Sequence, residues 1–262
     1  MEALETLVDT LHLEDLRNAI HPSTFDENEG YDMLIVRLPV IGRVLETESV
    51  GFVITPGNSY LYDRGAQAFE ALGERFEGPH RLLDRRVDHL LKSFAQYKEV
   101  IEEMEETLYE DRAGRDFMSG WLGLKRDILH IERILMRTSG IMQEVLVHYE
   151  DEPSFPLNHY IDLHEHIDRV MRSATLHLSK LDYLHNFYNA RTNEKMNRMI
   201  YILTIISAIF LPLNLLVGFF GMNTGGLPFA KGDEGTLKAL LLMVSLTAAA
   251  SAVIYLWRKK IE

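Results

Sequence analysis

The stretch "HYIDLHEHIDR", residues 159–169, sets His159, Asp162, His164, Glu165, His166 and Asp168 close together in the chain. Imidazoles and carboxylates are ligand types for Zn²⁺, and carboxylates also suit Mg²⁺. Neighbouring residues do not share a helix face, so the six cannot act as one set; His159, Asp162 and His166 fall near one face. Asp162, Asp168 and His166 are the candidate metal ligands, with ordinary polar contacts at the start of a helix as the alternative.

A second group of residues recurs at helical steps of three and four: Asp168, Arg172, Thr175, Ser179, Asp182, Asn186, Asn189 or Asn193, and then Asn197, Ile200, Leu203 or Thr204, Ser207, Leu211, Asn214 and Gly218. From Met199 to Ala230 the chain has no Asp, Glu, Lys or Arg. A polar stripe entering such an apolar run is costly unless it faces water or a partner. In a parallel ring of these helices, Ser207 and Asn214 would line an axis. The alternative is that Asn214 hydrogen-bonds a neighbouring helix and Ser207 its own backbone. Pro212 leaves the Ala208 carbonyl without its helical donor, turned towards such an axis or re-satisfied by neighbours. Where the hydrophobicity stops, "FFGMNTGGLP" (219–228) supplies an amide and flexible glycines, as the mouth of an ion pathway would need.

Other chemistry is poorly supplied. The acidic run "EVIEEMEETLYED" (99–111) reads as a solvated helix face, although it could also concentrate cations. There is no G-x-x-x-x-G-K-[ST], no H-E-x-x-H and no nucleophile elbow, so an enzyme and any bound cofactor are not expected. A net charge of −12 and a pI near 5.4 argue against nucleic-acid binding.

The elements that must position these residues are legible from pattern. Residues 31–62 read as an antiparallel meander of short strands, "YDMLIVRLPV", "RVLET", "VGFVIT" and "SYLYD", separated by Gly42, "ES" and "PGN". From Gly65 to about Glu150 the period is helical, with a break at 112–116 that predicts two antiparallel helices. "DEPSFP" (151–156) stops the second, and no breaker follows until Pro212. One helix from about Leu157 to Phe220 is predicted, on the order of 95 Å long at 1.5 Å per residue. A helix of that length needs partners, and a chain with few spans points to other copies of itself.

The uncharged runs Met199–Ala230 and Ala239–Trp257 are each long enough to cross a bilayer. The N-terminus lacks the features of a signal peptide. Lys195 and Arg198 before the first run, and Arg258 to Lys260 after the second, place both termini in the cytoplasm of a multi-pass protein of the cell (inner) membrane. The expected organisation is a cytoplasmic α/β domain over 1–155, a stalk helix over 156–198, a first transmembrane helix over 199–220, an external loop over 221–237, a second transmembrane helix over 238–257 and a basic tail over 258–262.

"TNEKMNRMIYILTIISAIFLPLNLLVGFFGMN" (192–223) resembles the first transmembrane helix and Gly-Met-Asn signature of the CorA family of divalent-cation transporters. "LHLEDLRNAIHPSTFDENEGYDMLIVRLPV" (11–40) resembles the passage before that family's antiparallel strands. The resemblance implies a funnel-shaped homopentamer with long stalk helices and a pore formed by the first span. It implies that Asn223 forms a ring at the outer mouth, with Gly221 and Met222 shaping the turn, and that this ring contacts a hydrated cation. Asn197, Ile200, Leu203, Ser207, Leu211, Asn214 and Gly218 would line the path, apolar rings among them gating by dewetting. Asp162 is the preferred regulatory ligand, because an acidic residue early in the family's stalk helix binds cation between subunits. Transported or regulatory Mg²⁺ or Zn²⁺, the bilayer and further copies of the chain are the implied partners.

Two departures matter. "GMNTGGLPF" resembles the zinc-transporting ZntB branch rather than the magnesium branch, and the chain begins near the family's middle cytoplasmic region. A CorA-like scaffold or sensor that does not transport is therefore a second expectation.

Overall fold

The computed structural model describes residues 6–114, 116–222, 235, 237–238, 240–249 and 252. The chain divides into two compact units, Met1–Asn186 and Phe187–Glu262.

In the first unit, "YDMLIVRLPVI" alternates large apolar side chains on both faces, so its strand must be covered on both. It is β2 (Tyr31–Ile41), central in an antiparallel sheet of order β1–β2–β3–β4–β5, with β1 Thr24–Asn28, β3 Leu45–Ile54, β4 Ser59–Asp63 and β5 Ala68–Ala71. A short helix, α1 (Thr10–Arg17), starts on an Asp9 carboxylate that accepts the Leu11 N–H. Its Leu16 is buried with Met33, Ile35, Val53, Tyr62 and Phe69. Gly51 makes that seat: a Cβ there would meet Leu16 Cδ2 at 2.4 Å.

The sheet differs from the expected meander in three places. "RVLET" and "VGFVIT" form one strand, because Ser49 does not interrupt pairing: it sits opposite Arg37, and its hydroxyl donates to the His21 carbonyl at 2.7 Å. β1, "TFDEN", is too polar for hydrophobic alternation to reveal, and is held by pairing Thr24–Asn28 against Tyr31–Ile35. β5 lies in the stretch expected to be helical from Gly65 and pairs with β4.

Three long helices follow: α2 Glu77–Tyr109, α3 Phe117–Tyr149 and α4 Leu157–Gly221. Leu83, Val87, Leu90, Phe94 and Ile101 form the buried stripe of α2, and Ile128, Ile131, Leu135, Met142 and Val145 that of α3. On α4, Tyr160, Leu163, Ile167, Val170, Ala174, Leu178, Leu181 and Leu184 repeat at steps of three and four. Each fully buried Leu or Ile of these stripes contributes about 1.5–3 kcal/mol. The expected break at 112–116 and the stop at 151–156 fall in the two connections, and α4 ends one residue beyond the expected Phe220.

The second unit takes α4 from Phe187 to Gly221, with Pro212 inside the helix. Its most apolar 18-residue window has a mean hydropathy of 2.4 and 0% of it buried. A further apolar helix, α5, covers Leu240–Ala249.

Candidate functional site

Two clusters of metal-ligand side chains form where α2 and α4 begin. Glu77, His80 and His159 make one, Asp84, Asp162 and His166 the other; in each, one ligand atom per residue lies within 4.8 Å of the others. The helical repeat explains both. Glu77, His80 and Asp84 stand at i, i+3 and i+7 on α2, and His159, Asp162 and His166 follow the same spacing on α4. Two such rows on packed helices must meet pairwise.

Sequence spacing thus brings Asp162 and His166 together, their nearest atoms 3.7 Å apart, and the structure adds Asp84 as the partner that could not be assigned from sequence. The Nδ1 of His166 is buried with no hydrogen-bond partner. Two carboxylates and one imidazole suit either a hard divalent ion or Zn²⁺. Glu77, His80 and Asp84 went unrecognised because they lie more than 70 residues away in sequence; a His and two acids beside the apolar stripe of α2 were the available signal.

Asp168 goes elsewhere. It accepts the Ser139 hydroxyl at 2.6 Å and pairs with His164 at 3.8 Å and Arg172 at 3.6 Å. The upper part of the polar stripe likewise turns to α3: Thr175 donates to Glu132 at 2.7 Å, and Lys125 to Asp182 at 2.5 Å. Trp121 Nε1 of α3 donates to the Leu181 carbonyl at 2.8 Å and its ring stacks on His185 at 4.5 Å. These positions bind helix to helix within the chain.

In the second unit Asn197, Ile200, Leu203, Ser207, Leu211, Asn214 and Gly218 all lie on α4 and all are exposed. At 100° per residue they occupy one face about 120° wide. The Thr204 hydroxyl beside them donates to the Ile200 carbonyl of its own helix at 2.8 Å. Gly221 closes α4, and the Met222 N–H donates to the Phe219 carbonyl at 3.4 Å. Asn223 lies outside the described residues.

Among the described residues, an antiparallel α/β unit is followed by a long helix whose most apolar window is 0% buried, the make-up of a membrane-associated protein. The sequence profile of the family described as "CorA-like Mg2+ transporter protein" matches residues 72–260, and the chain belongs to that family of transporters. The cobalt/magnesium transport protein CorA of Thermotoga maritima is 21% identical over 271 residues, covering 95% of this chain and 76% of its own. The zinc transport protein ZntB of Vibrio parahaemolyticus is 23% identical over 238 residues, covering 84% of this chain and 71% of its own. The solved structure of full-length CmaX superposes with a TM-score of 0.71 at 18% identity, over 96% of this chain and 82% of its own.

Proposed function

We propose that this chain is a homopentameric transporter or channel for divalent metal cations, Mg²⁺ or Zn²⁺ with Co²⁺ and Ni²⁺ as further substrates. The observation that carries the reading is the second unit's helix. An apolar window of mean hydropathy 2.4 with 0% of it buried needs lipid around it or copies of itself against it. Ser207 and Asn214 stand exposed on one of its faces. Five parallel copies enclose that face, so the polar groups meet water and the apolar positions Ile200, Leu203 and Leu211 narrow the path.

In this reading Gly221, Met222 and Asn223 form the external selectivity ring, whose neutral oxygens receive the ion with its water shell. The run Ala239–Trp257 is the second span, both termini are cytoplasmic, and the membrane potential drives entry. Asp162, with Asp84 and His166, senses cytoplasmic cation. Family membership and relatives named for magnesium, cobalt and zinc support the substrate class.

Uptake of Mg²⁺, Zn²⁺, Co²⁺ and Ni²⁺ into liposomes carrying the purified protein, with and without a pH gradient, tests it. Asn223→Ala is expected to lower flux about tenfold or more, the scale of one lost hydrogen bond to a charged ligand. Absence of flux from an assembled oligomer would leave the non-transporting sensor as the reading.

A further inference from the structure

His80 has an unusual hydrogen-bonding state. Its Nε2 lies 3.1 Å from the His159 carbonyl oxygen, which can only accept, so Nε2 carries the proton. In the neutral ring the lone pair is then on Nδ1. That atom is buried and has no hydrogen-bond partner. It looks towards Glu77 Oε2 at 4.0 Å, beyond hydrogen-bonding reach, while the other carboxylate oxygen of Glu77 is 2.9 Å from His159 Nδ1. A buried lone pair facing a carboxylate across a gap is the arrangement of a ligand awaiting a cation. An imidazole whose far nitrogen is tied to a backbone carbonyl is the usual orientation of a metal-binding histidine.

We propose that Glu77, His80 and His159 form a transition-metal site, selective for Zn²⁺ or Co²⁺ over Mg²⁺, that clasps the start of α4 to the start of α2. Two imidazoles and one carboxylate favour a borderline-soft ion, since Mg²⁺ prefers oxygen donors and dehydrates reluctantly. Donors within 4.8 Å need to close to about 3.3 Å for a tetrahedral ion with bonds near 2.0–2.1 Å. Torsions of Glu77 and His159 supply that closure, because their side chains are 36% and 56% exposed whereas that of His80 is only 12% exposed and fixes the centre. The fourth position is open to water. Glu77 is essential to the charge balance, because two helix N-termini alone would repel a cation. The site is separate from the Asp84–Asp162–His166 cluster and independent of whether ions cross the membrane.

The test uses the full-length protein in detergent, stripped with chelator and titrated with Zn²⁺ or Co²⁺ in millimolar Mg²⁺. Asp84→Asn with Asp162→Asn removes the neighbouring cluster as a background. On it, the wild-type site is expected to bind one Zn²⁺ per chain. His159→Ala and Glu77→Gln are each expected to weaken that binding about 10- to 100-fold, while gel filtration stays unchanged. The protein has no cysteine, so His159→Cys gives a probe of this site alone. It should restore binding and show a thiolate-to-Co²⁺ charge-transfer band with the strong visible absorption of a tetrahedral ion. Zinc binding indifferent to both His159→Ala and Glu77→Gln, or no such band in the His159→Cys protein, overturns the proposal.

Discussion

Ser23, Arg37 and Thr138 close a ring of hydrogen bonds that no sequence pattern announces. The Arg37 N–H donates to Ser23 Oγ at 2.9 Å, Ser23 donates to Thr138 Oγ1 at 2.8 Å, and Thr138 donates to the Arg37 carbonyl at 2.8 Å. Both hydroxyl residues are buried, and 115 residues separate them, so only the tertiary fold makes them partners. Thr138→Val keeps the shape but leaves the Ser23 hydroxyl proton and the Arg37 carbonyl without a partner, Ser23 Oγ still accepting the Arg37 N–H; it should cost about 1–3 kcal/mol. Ser23→Ala combined with Thr138→Val should cost less than the two single changes summed, because the second removes a group already orphaned. The thermal midpoint of the detergent-solubilised protein reads this out, at roughly 2–4 °C for each kcal/mol. Gly78 is a sharper case. A Cβ there would meet Leu72 Cβ at 2.6 Å and Ser59 Oγ at 3.0 Å, and that hydroxyl is held by the Glu74 carbonyl at 2.5 Å. Gly78→Ala should lower the midpoint by an overpacking cost of about 1–3 kcal/mol. Gly78 lies in the first turn of α2, between Glu77 and His80.

At the scale of elements, legibility followed the physical source of order. The course of α4 is written in the absence of breakers between Pro156 and Pro212, and in the 3–4 repeat from Tyr160 to Leu184. β1 and β5 are not written locally, because their order comes from backbone pairing with β2 and β4 rather than from their own apolar content. The candidate site divides the same way: the α4 row is legible, whereas Asp84, Glu77 and His80 join it only because α2 packs there. The α2–α4 contact also carries a pH dependence. His177 of α4 stacks on Phe94 of α2 at 5.4 Å and 14°, and burial lowers its pKa from 6.5, with Lys180 and Lys98 lowering it further and Glu102 opposing. The unfolded chain therefore binds this proton more readily than the folded one. Its contribution is complete above pH 6.5 and is lost as pH falls from there through the folded-state value. His177→Gln should flatten the fall of the thermal midpoint between pH 6.5 and 5 relative to wild type. An unchanged slope would mean that His177 does not carry this pH dependence.

For the molecule as a whole, the two units have opposite relations to water. Every buried core side chain of α1, the sheet, α2, α3 and α4 lies at or before Leu184, inside the unit that ends at Asn186. The exposed apolar side chains there, among them Leu11, Ile20, Val44, Leu122, Met136, Val147 and Leu176, are spread over several elements. Beyond it, Ile200, Leu203, Phe210, Leu211 and Leu215 are more than half exposed on a single helix, a surface for lipid or further copies of the chain to cover. A fragment of residues 1–186 should consequently stay in the supernatant without detergent, with helical circular dichroism and one cooperative melt. If the copies are held together through the apolar helix, light scattering should find the fragment monomeric at micromolar concentration while the full chain in detergent is oligomeric. An insoluble fragment would mean that residues 187–262 complete its fold. A soluble fragment with the full chain's oligomeric state would move the assembly contact into the first unit, where the stalk rather than the membrane segment would set the number of copies around the axis.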